Sequence, residues 1–337
     1  MSMKILSKTL ITVIEEELKK QVARLDEPHT QLYYEMLTYH MGWTGKDASE
    51  KVTGKRIRPL LVLLAASASG GDWQKVLPAA AAIELIHNFS LLHDDIQDNS
   101  ETRRGRPTAW TIWGVAQAIN AGDGMFILAN MAMGDLAKDH PNETVLKGER
   151  IFQEACLNLT RGQHLDIDYE KRTNIDVADY WKMIGGKTAT LIAASLELGA
   201  LFGGANADLR LAYRDFGHYL GLAFQVQDDI LGIWGDEAIT GKSAASDLLE
   251  GKKSLPVLFG LEKGGGFAKR WQQGTLTEAE VPQLAKMLEL EGARQMAQQA
   301  ADQMTDLSLN ALRQADPQGK AGDELFALAK RLLNRDA

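Results

Sequence analysis

LPAAAAIELIHNFSLLHDDIQDN, residues 77–99, has a proline in second place followed by four alanines and carries apolar side chains at helical spacing up to an abrupt acidic end. Alanine is the strongest helix former and proline is tolerated in the first turn of a helix, so the stretch predicts one helix over 77–99. The same period recurs along most of the chain, while alternating runs of Val, Ile, Thr and aromatic residues are scarce. The fold class expected is all-α, with helices over about 4–25, 29–42, 57–69, 77–99, 108–138, 144–165, 176–202, 207–234, 254–263, 277–290, 292–315 and 321–334. Two polar connections interrupt the pattern, TGKDASEKVT at 44–53 and GDEAITGKSAASDLLEGKK at 235–253. With no internal repeat of fixed period, residues 1–337 are expected to form a single domain.

Composition narrows the classes of function. The chain has 337 residues, 45% of them apolar, which is ordinary for a globular protein and enough for a large core. Its net charge of −8 comes with basic residues scattered among acidic ones, so nucleic acid is excluded as a partner. Cys156 is the only cysteine; an intrachain disulfide and a multi-cysteine metal site are therefore impossible, and a cytoplasmic location is expected. The N-terminal apolar run is short and meets Glu15, Glu16 and Glu17 too soon to read as a signal peptide. The most apolar internal stretch, Leu60 to Ala68, is about half of what a membrane span needs, so no transmembrane segment is expected.

Chemistry concentrates at the end of the opening stretch. At 100° per residue His87, Leu91, Asp94 and Asp98 fall within about 60° of one another, stacking two carboxylates one turn apart above a histidine. Carboxylates about 6 Å apart repel by roughly 2–3 kcal/mol at an effective dielectric near 20, a cost that a cation would relieve. Oxygen-only donors select a hard ion, and magnesium in particular binds one or two carboxylates together with substrate phosphates. A solvated acidic helix end fits the same string. The Arg103-Arg104-Gly105-Arg106-Pro107 cluster follows, its Gly and Pro marking a turn able to return arginine forks over the carboxylates. Surface neutralisation of the acidic patch is the alternative there. Lys55 and Arg58 in GKRIRP (54–59) are spaced to share one anion, although basic residues commonly flank a buried helix as well.

A second acidic face lies in QVQDDILG, 225–232, on an otherwise apolar helix, where Gln225, Asp228 and Asp229 make a polar stripe in place of core. Two such faces set opposite each other suit a diphosphate bridged by metal ions. Lysines add positive charge at Gly185-Gly186-Lys187-Thr188, at Lys242, and at Lys252-Lys253. A phosphate loop is rejected for GGKT, because Trp181 stands where its first glycine belongs and no strand precedes it.

In order, GKRIRP, IELIHNFSLLHDDIQD, RRGRPT, GQHLDID, GGKTA, GLAFQVQDDILG and GKKSLP span about 54–256, and with them the chain resembles the all-trans polyprenyl (isoprenyl) diphosphate synthases, the short-chain farnesyl and geranylgeranyl type in particular. The resemblance implies a bundle of long helices around a central active-site cavity, usually as a homodimer, and a Mg²⁺-dependent prenyltransferase. Its substrates would be isopentenyl diphosphate and an allylic diphosphate (dimethylallyl, geranyl or farnesyl), joined head to tail. By the same resemblance Asp94, Asp95 and Asp98 form a first metal motif and Asp228 with Asp229 a second, together holding about three Mg²⁺ ions. Lys55, Arg58, His87 and Arg104 match the isopentenyl diphosphate grip; Arg103, Lys187, Thr188, Gln225, Lys242 and Lys252 match contacts to the allylic partner. Phe89 and Ser90 take the positions that set product length, which implies a C20 geranylgeranyl product, with C15 farnesyl as the alternative. Helical-wheel geometry places Ser90 nearer the Asp94 face than Phe89. Gly232 departs from the pattern, since an aspartate commonly ends the second motif. A class I terpene cyclase or a non-catalytic partner subunit accounts less well for the paired motifs and intact arginines.

Overall fold

A computed structural model describes residues 3–235 and 246–333, and it is built almost wholly of helices. Its residues gather in two compact units: one of Met1–Glu154, Ala194–Arg210 and Pro317–Leu325, the other of Ala155–Ala193, Leu211–Asp316 and Phe326–Ala337. Lys242 lies outside the described residues.

In the first unit, α1 (Met3–Val22), α2 (Gln31–His40), α3 (Glu50–Thr53), α4 (Ile57–Ala68), α5 (Leu77–Gln97), α6 (Ala109–Trp113) and α7 (Val115–Asp135) follow one another. Helix α5 packs against α1, α4 and α7. Its alanine run explains how: Ala79 to Ala82 let neighbouring backbones approach, and every residue from Ala79 to Ile86 is buried. Residues 73–97 are long and apolar enough to cross a membrane, but 61% of the apolar window is covered by the protein itself, the signature of a core helix. In α4, Leu60 to Leu64 are all buried, each stabilising the unit by roughly 1.5–3 kcal/mol.

Polar ties hold these helices in register. Arg56, only 3% exposed, adopts a left-handed conformation (φ 47°) just before α4. Its guanidinium donates to Glu15 of α1 at 2.6 Å, to Glu84 of α5 at 2.7 Å and to the Met41 carbonyl at 3.3 Å. Removing one member of such a buried set strands the other charges, at a cost of about 3–5 kcal/mol.

The second unit contains most of α8 (Asn142–Lys171), then α9 (Val177–Ile184), part of α10 (Thr190–Phe202), nearly all of α11 (Ala207–Trp234), α12 (Ser246–Leu249), α13 (Leu255–Lys263), α14 (Gly266–Trp271), α15 (Val281–Leu290), α16 (Ala293–Gln314) and the end of α17 (Gly319–Leu333). Helix α13 packs against α9, α14 and α16. A core cluster joins Tyr180, Ile184, Leu222, Val226, Ile230, Leu255, Leu258, Ala297 and Ala301.

Several elements differ from the sequence expectation for identifiable reasons. The single helix expected over 108–138 breaks at Gly114, whose φ of 83° ends α6 before α7 begins. Helix α8 runs six residues past the expected 165, because Tyr169 continues the buried period of Phe152, Ala155 and Leu159. Residues 176–202 are not one α-helix: Gly185–Ala189 is a π-helical segment between α9 and α10. Arg103 and Arg106 pair across a short antiparallel hairpin, β1 (Thr102–Arg103) with β2 (Arg106–Pro107).

Candidate active site

In the first unit the wheel drawn from sequence is reproduced. His87, Leu91 and Asp94 are half-buried and Asp98 is exposed, so this stripe is the open face of α5, while Glu84, Asn88, Leu92 and Asp95 form the closed one. Asp98 caps the helix, its N–H donating to the Asp94 carbonyl at 2.8 Å. Two carboxylates one turn apart on an open face, with oxygen donors only, fit a hard divalent ion. Among the described residues no three His, Cys, Asp or Glu side chains converge as a metal cage; a metal held here would take its remaining ligands from water and substrate, as magnesium does.

Asp95 faces the other way. It is 2% exposed and accepts from Arg103 Nε at 2.7 Å. Burial lifts its pKa above the usual carboxylate value, against the pull of Arg103. Its Oδ2 is buried without a hydrogen-bond partner.

The hairpin delivers the arginines. Arg104 and Gly105 both have positive φ (54° and 74°), the signature of the two-residue turn whose twist matches paired strands. Arg104 reaches back to donate to the Val52 carbonyl at 2.7 Å, passing so close to Gly54 that a Cβ there would lie 2.8 Å from its guanidinium. Arg106 is structural. It is buried, stacks 3.9 Å from the Tyr39 ring centroid and donates to the Thr44 carbonyl at 2.8 Å, holding the hairpin against α2.

Arg58 Nη1 donates to His87 Nε2 at 3.2 Å, which puts the imidazole proton on Nδ1. Burial, reinforced by Arg58 and Arg104, holds His87 well below its ordinary pKa, so it is neutral. Lys55 is exposed nearby in the chain. Phe89 turns toward α7, its ring 5.4 Å from Phe126 and 4.8 Å from His93, while Ser90 donates to the His87 carbonyl at 2.8 Å.

In the second unit Phe224, Gln225, Asp228, Leu231 and Gly232 make the half-open stripe of α11. Gly232 stands one turn after Asp228 on that stripe, so the aspartate absent from the motif would have shared its face. Asp229 is 6% exposed and faces the core. Lys187 and Thr188 project from the π-helical segment, a distortion frequent at functional sites. Its seat is backbone on backbone: a Cβ on Gly162 of α8 would lie 2.0 Å from the Lys187 amide nitrogen, and one on Gly221 of α11 would lie 2.5 Å from the Ala189 Cα. Fixed this way, Lys187 pairs with Asp166, and Thr188 donates to Gln225 Oε1 at 2.7 Å. Lys252 is exposed and pairs with Glu250 at 2.7 Å, whereas Lys253 donates to the Tyr169 and Glu170 carbonyls that end α8.

The description that fits this arrangement comes from known proteins. A family model described as polyprenyl synthetase matches residues 46–288. The chain belongs to the polyprenyl synthetase family. Within that family it is 38% identical, over 336 residues covering 96% of this chain and 91% of the relative, to a (2E,6E)-farnesyl diphosphate synthase of Mycobacterium tuberculosis. It is also 38% identical, over 89% of this chain and 86% of the relative, to a geranylgeranyl diphosphate synthase of the same species. A crystal structure of a polyprenyl synthetase from Streptomyces coelicolor A3(2) superposes with a TM-score of 0.89 at 35% identity, covering 98% of this chain and 99% of that one. This polyprenyl synthetase is therefore an all-α prenyltransferase of the short-chain prenyl diphosphate synthase type, from a family that handles isoprenyl diphosphates with a divalent metal.

Some residues of consequence carried no sequence signal of their own. Arg56 and Arg106 read as members of basic clusters, and only their buried partners reveal a structural task. Asp166 was visible within GQHLDID, but its pairing with Lys187 depends on the glycine contact between α8 and the π segment. His40, on α2, was not singled out. With Asp95, Arg103 and Arg104 it lines a cavity of about 30 Å³, and its Nε2 is buried without a hydrogen-bond partner. Burial, helped by Arg103, Arg104 and Arg56, lowers its pKa to about 3.

An unfolded histidine titrates near 6.5, so below that pH the unfolded chain binds a proton that the folded chain refuses. The stability associated with His40 is thus complete above pH 6.5 and is lost as the pH falls through it, by about 2 kcal/mol at pH 5. Urea denaturation at pH 7 and pH 5 is expected to show a loss about 2 kcal/mol smaller in His40→Asn than in the parent.

Proposed function

We propose that the chain condenses isopentenyl diphosphate with an allylic diphosphate, dimethylallyl, geranyl or farnesyl, with geranylgeranyl diphosphate as the end product. The allylic C–O bond breaks and diphosphate leaves, the isopentenyl double bond forms the new head-to-tail carbon–carbon bond, and the resulting cation loses one proton, which the released diphosphate can take. The observation that carries this reading is the open stripe of α5, with Asp94 and Asp98 one turn apart and the Arg58–His87 pair at its other end. In the first unit Lys55, Arg58, His87 and Arg104 hold the isopentenyl diphosphate, and Arg103, tied to Asp95, serves the allylic partner. In the second unit Lys187, Thr188, Gln225 and Lys252 serve the allylic diphosphate, as Lys242 does beyond the described residues. Asp94, Asp95, Asp98, Asp228 and Asp229 are the carboxylates available to about three Mg²⁺ ions. Bound Mg²⁺ supplies positive charge that stabilises the departing diphosphate. Preorganised lysine and arginine charge acts in the same sense without reorganising as the bond breaks.

For product length, Phe89 lies five residues before Asp94, about 7–8 Å along the helix axis, and its tilted ring contact with Phe126 supports a closed end to the hydrocarbon space. A cytoplasmic homodimer is part of the same proposal. Val115, Ile119, Ile127 and Met131 stand exposed at multiples of four along α7, a row interrupted only by Asp123, and such an apolar surface suits a second copy.

Purified protein given isopentenyl diphosphate, each allylic primer and Mg²⁺ is expected to form C20 product by chromatography; no elongation with any primer would refute the synthase reading. Asp94→Asn and Asp228→Asn are each expected to lower turnover at least about a hundredfold with the fold intact, and a loss under about tenfold contradicts their metal role. Phe89→Ala is expected to shift product beyond C20 in the same chromatogram. Ile127→Glu is expected to convert a dimer to monomer in sedimentation measurements.

A further inference from the structure

Adjacent residues on a helix point about 100° apart, so Asp228 and Asp229 leave α11 on different faces. Asp228 takes the half-open stripe of α11, and Asp229 points into the second unit. There its Oδ2 accepts from the Tyr180 hydroxyl at 2.8 Å and from the Leu255 N–H at 3.1 Å, and its Oδ1 accepts from Gln225 Nε2 at 3.0 Å. Tyr180 and Leu255 belong to the apolar cluster that also contains Val226 and Ile230, on either side of Asp229 in α11.

The Leu255 contact has a specific meaning. Leu255 is the first residue of α13, and Ser254, which precedes it, makes no side-chain capping bond. Asp229 therefore caps α13 from another helix, and the positive end of the α13 dipole compensates its buried charge. Lys252 and Lys253 enter α13 directly through this cap. On its other oxygen, Asp229 fixes the Gln225 amide, whose Oε1 in turn receives the Thr188 hydroxyl.

We propose that Asp229 is a positioning residue rather than a metal ligand. It fastens the Lys252–Ser254 entry of α13 and the Gln225–Thr188 pair to α11, leaving Asp228 as the metal-facing carboxylate of the motif. The inference rests on the metal role proposed above for Asp228, and it removes Asp229 from the set of carboxylates offered to Mg²⁺. Tyr180, which no motif singles out, becomes part of the same device. Its hydroxyl reaches the site through Asp229.

Three single variants and one double variant separate anchoring from ligation. Asp228→Asn is expected to raise the Mg²⁺ concentration for half-maximal rate about tenfold or more, and to abolish the rise in melting temperature that Mg²⁺ with inorganic pyrophosphate produces in the parent. Asp229→Asn and Tyr180→Phe are expected to keep both Mg²⁺ responses within about threefold, while raising KM for the allylic diphosphate about fivefold or more and leaving KM for isopentenyl diphosphate unchanged. The double variant is expected to be no worse than Asp229→Asn, because both changes break one network. An Mg²⁺ midpoint displaced as far by Asp229→Asn as by Asp228→Asn, with Tyr180→Phe silent, overturns the proposal. So does a lowered melting temperature with both KM values unchanged. If Asp229→Asn does not fold, Tyr180→Phe decides alone, since it removes one donor and leaves the carboxylate in place. An unmoved midpoint in Asp228→Asn strikes the functional reading instead, and the Tyr180→Phe comparison still decides the anchor.

Discussion

Neighbouring side chains on an α-helix diverge by about 100°, and this constraint governs both aspartate pairs. In α5 and α11 the helix offers one carboxylate of each pair to its open face and buries the other. The buried one then needs donors, because an uncompensated carboxylate away from water is far too costly. Asp95 meets Arg103 from the hairpin, and Asp229 meets Tyr180, Gln225 and the amide end of α13. Much of the local architecture follows: the tight turn after Arg103, the glycine that lets Arg104 pass, the hydroxyl on α9, and the entry to α13. In each unit the outward acid is oriented by what holds the inward one.

The two pairs solve this problem with different chemistry. Asp95 has an arginine cation as partner, keeps one oxygen without a hydrogen bond, and adjoins a small cavity shared with His40. Asp229 has neutral donors and a helix dipole, set in an apolar cluster. The first arrangement places positive charge beside the open face of α5; in the second unit, positive charge arrives on lysines from the π segment and from the approach to α13.

The helical layout was legible because period and composition agree along most of the chain. Helix α11 coincides with its expected span at both ends. A turn forms at Gly105 as expected, but the arginine that meets a carboxylate, Arg103 on Asp95, precedes it, and Arg106 beyond it packs on α2. Misreadings occurred where a single residue outweighs the period. Gly114 breaks a run that hydrophobicity alone would continue, and the π segment inserts its extra residue within five positions, too few to disturb an apolar repeat. At the site, chain neighbours were legible and inward partners were not. Arg103 and Arg106 look alike in RRGRP, yet one pairs with Asp95 while the other is held by an aromatic ring and a carbonyl. Asp228 and Asp229 look equivalent for the same reason.

The close meeting of α8, the π segment and α11 also limits how this polyprenyl synthetase tolerates stabilisation. Replacing a helical glycine by alanine ordinarily gains about 1 kcal/mol of propensity, which makes glycines attractive targets for hardening an enzyme. At Gly162, Gly186 and Gly221 the added methyl would collide with main-chain atoms that no rotamer change can move. Gly134 in α7, with nothing within 4 Å of an added Cβ, has room for the same change. Efforts to raise heat tolerance have space at positions such as Gly134, while the seam beneath Lys187 admits only hydrogen.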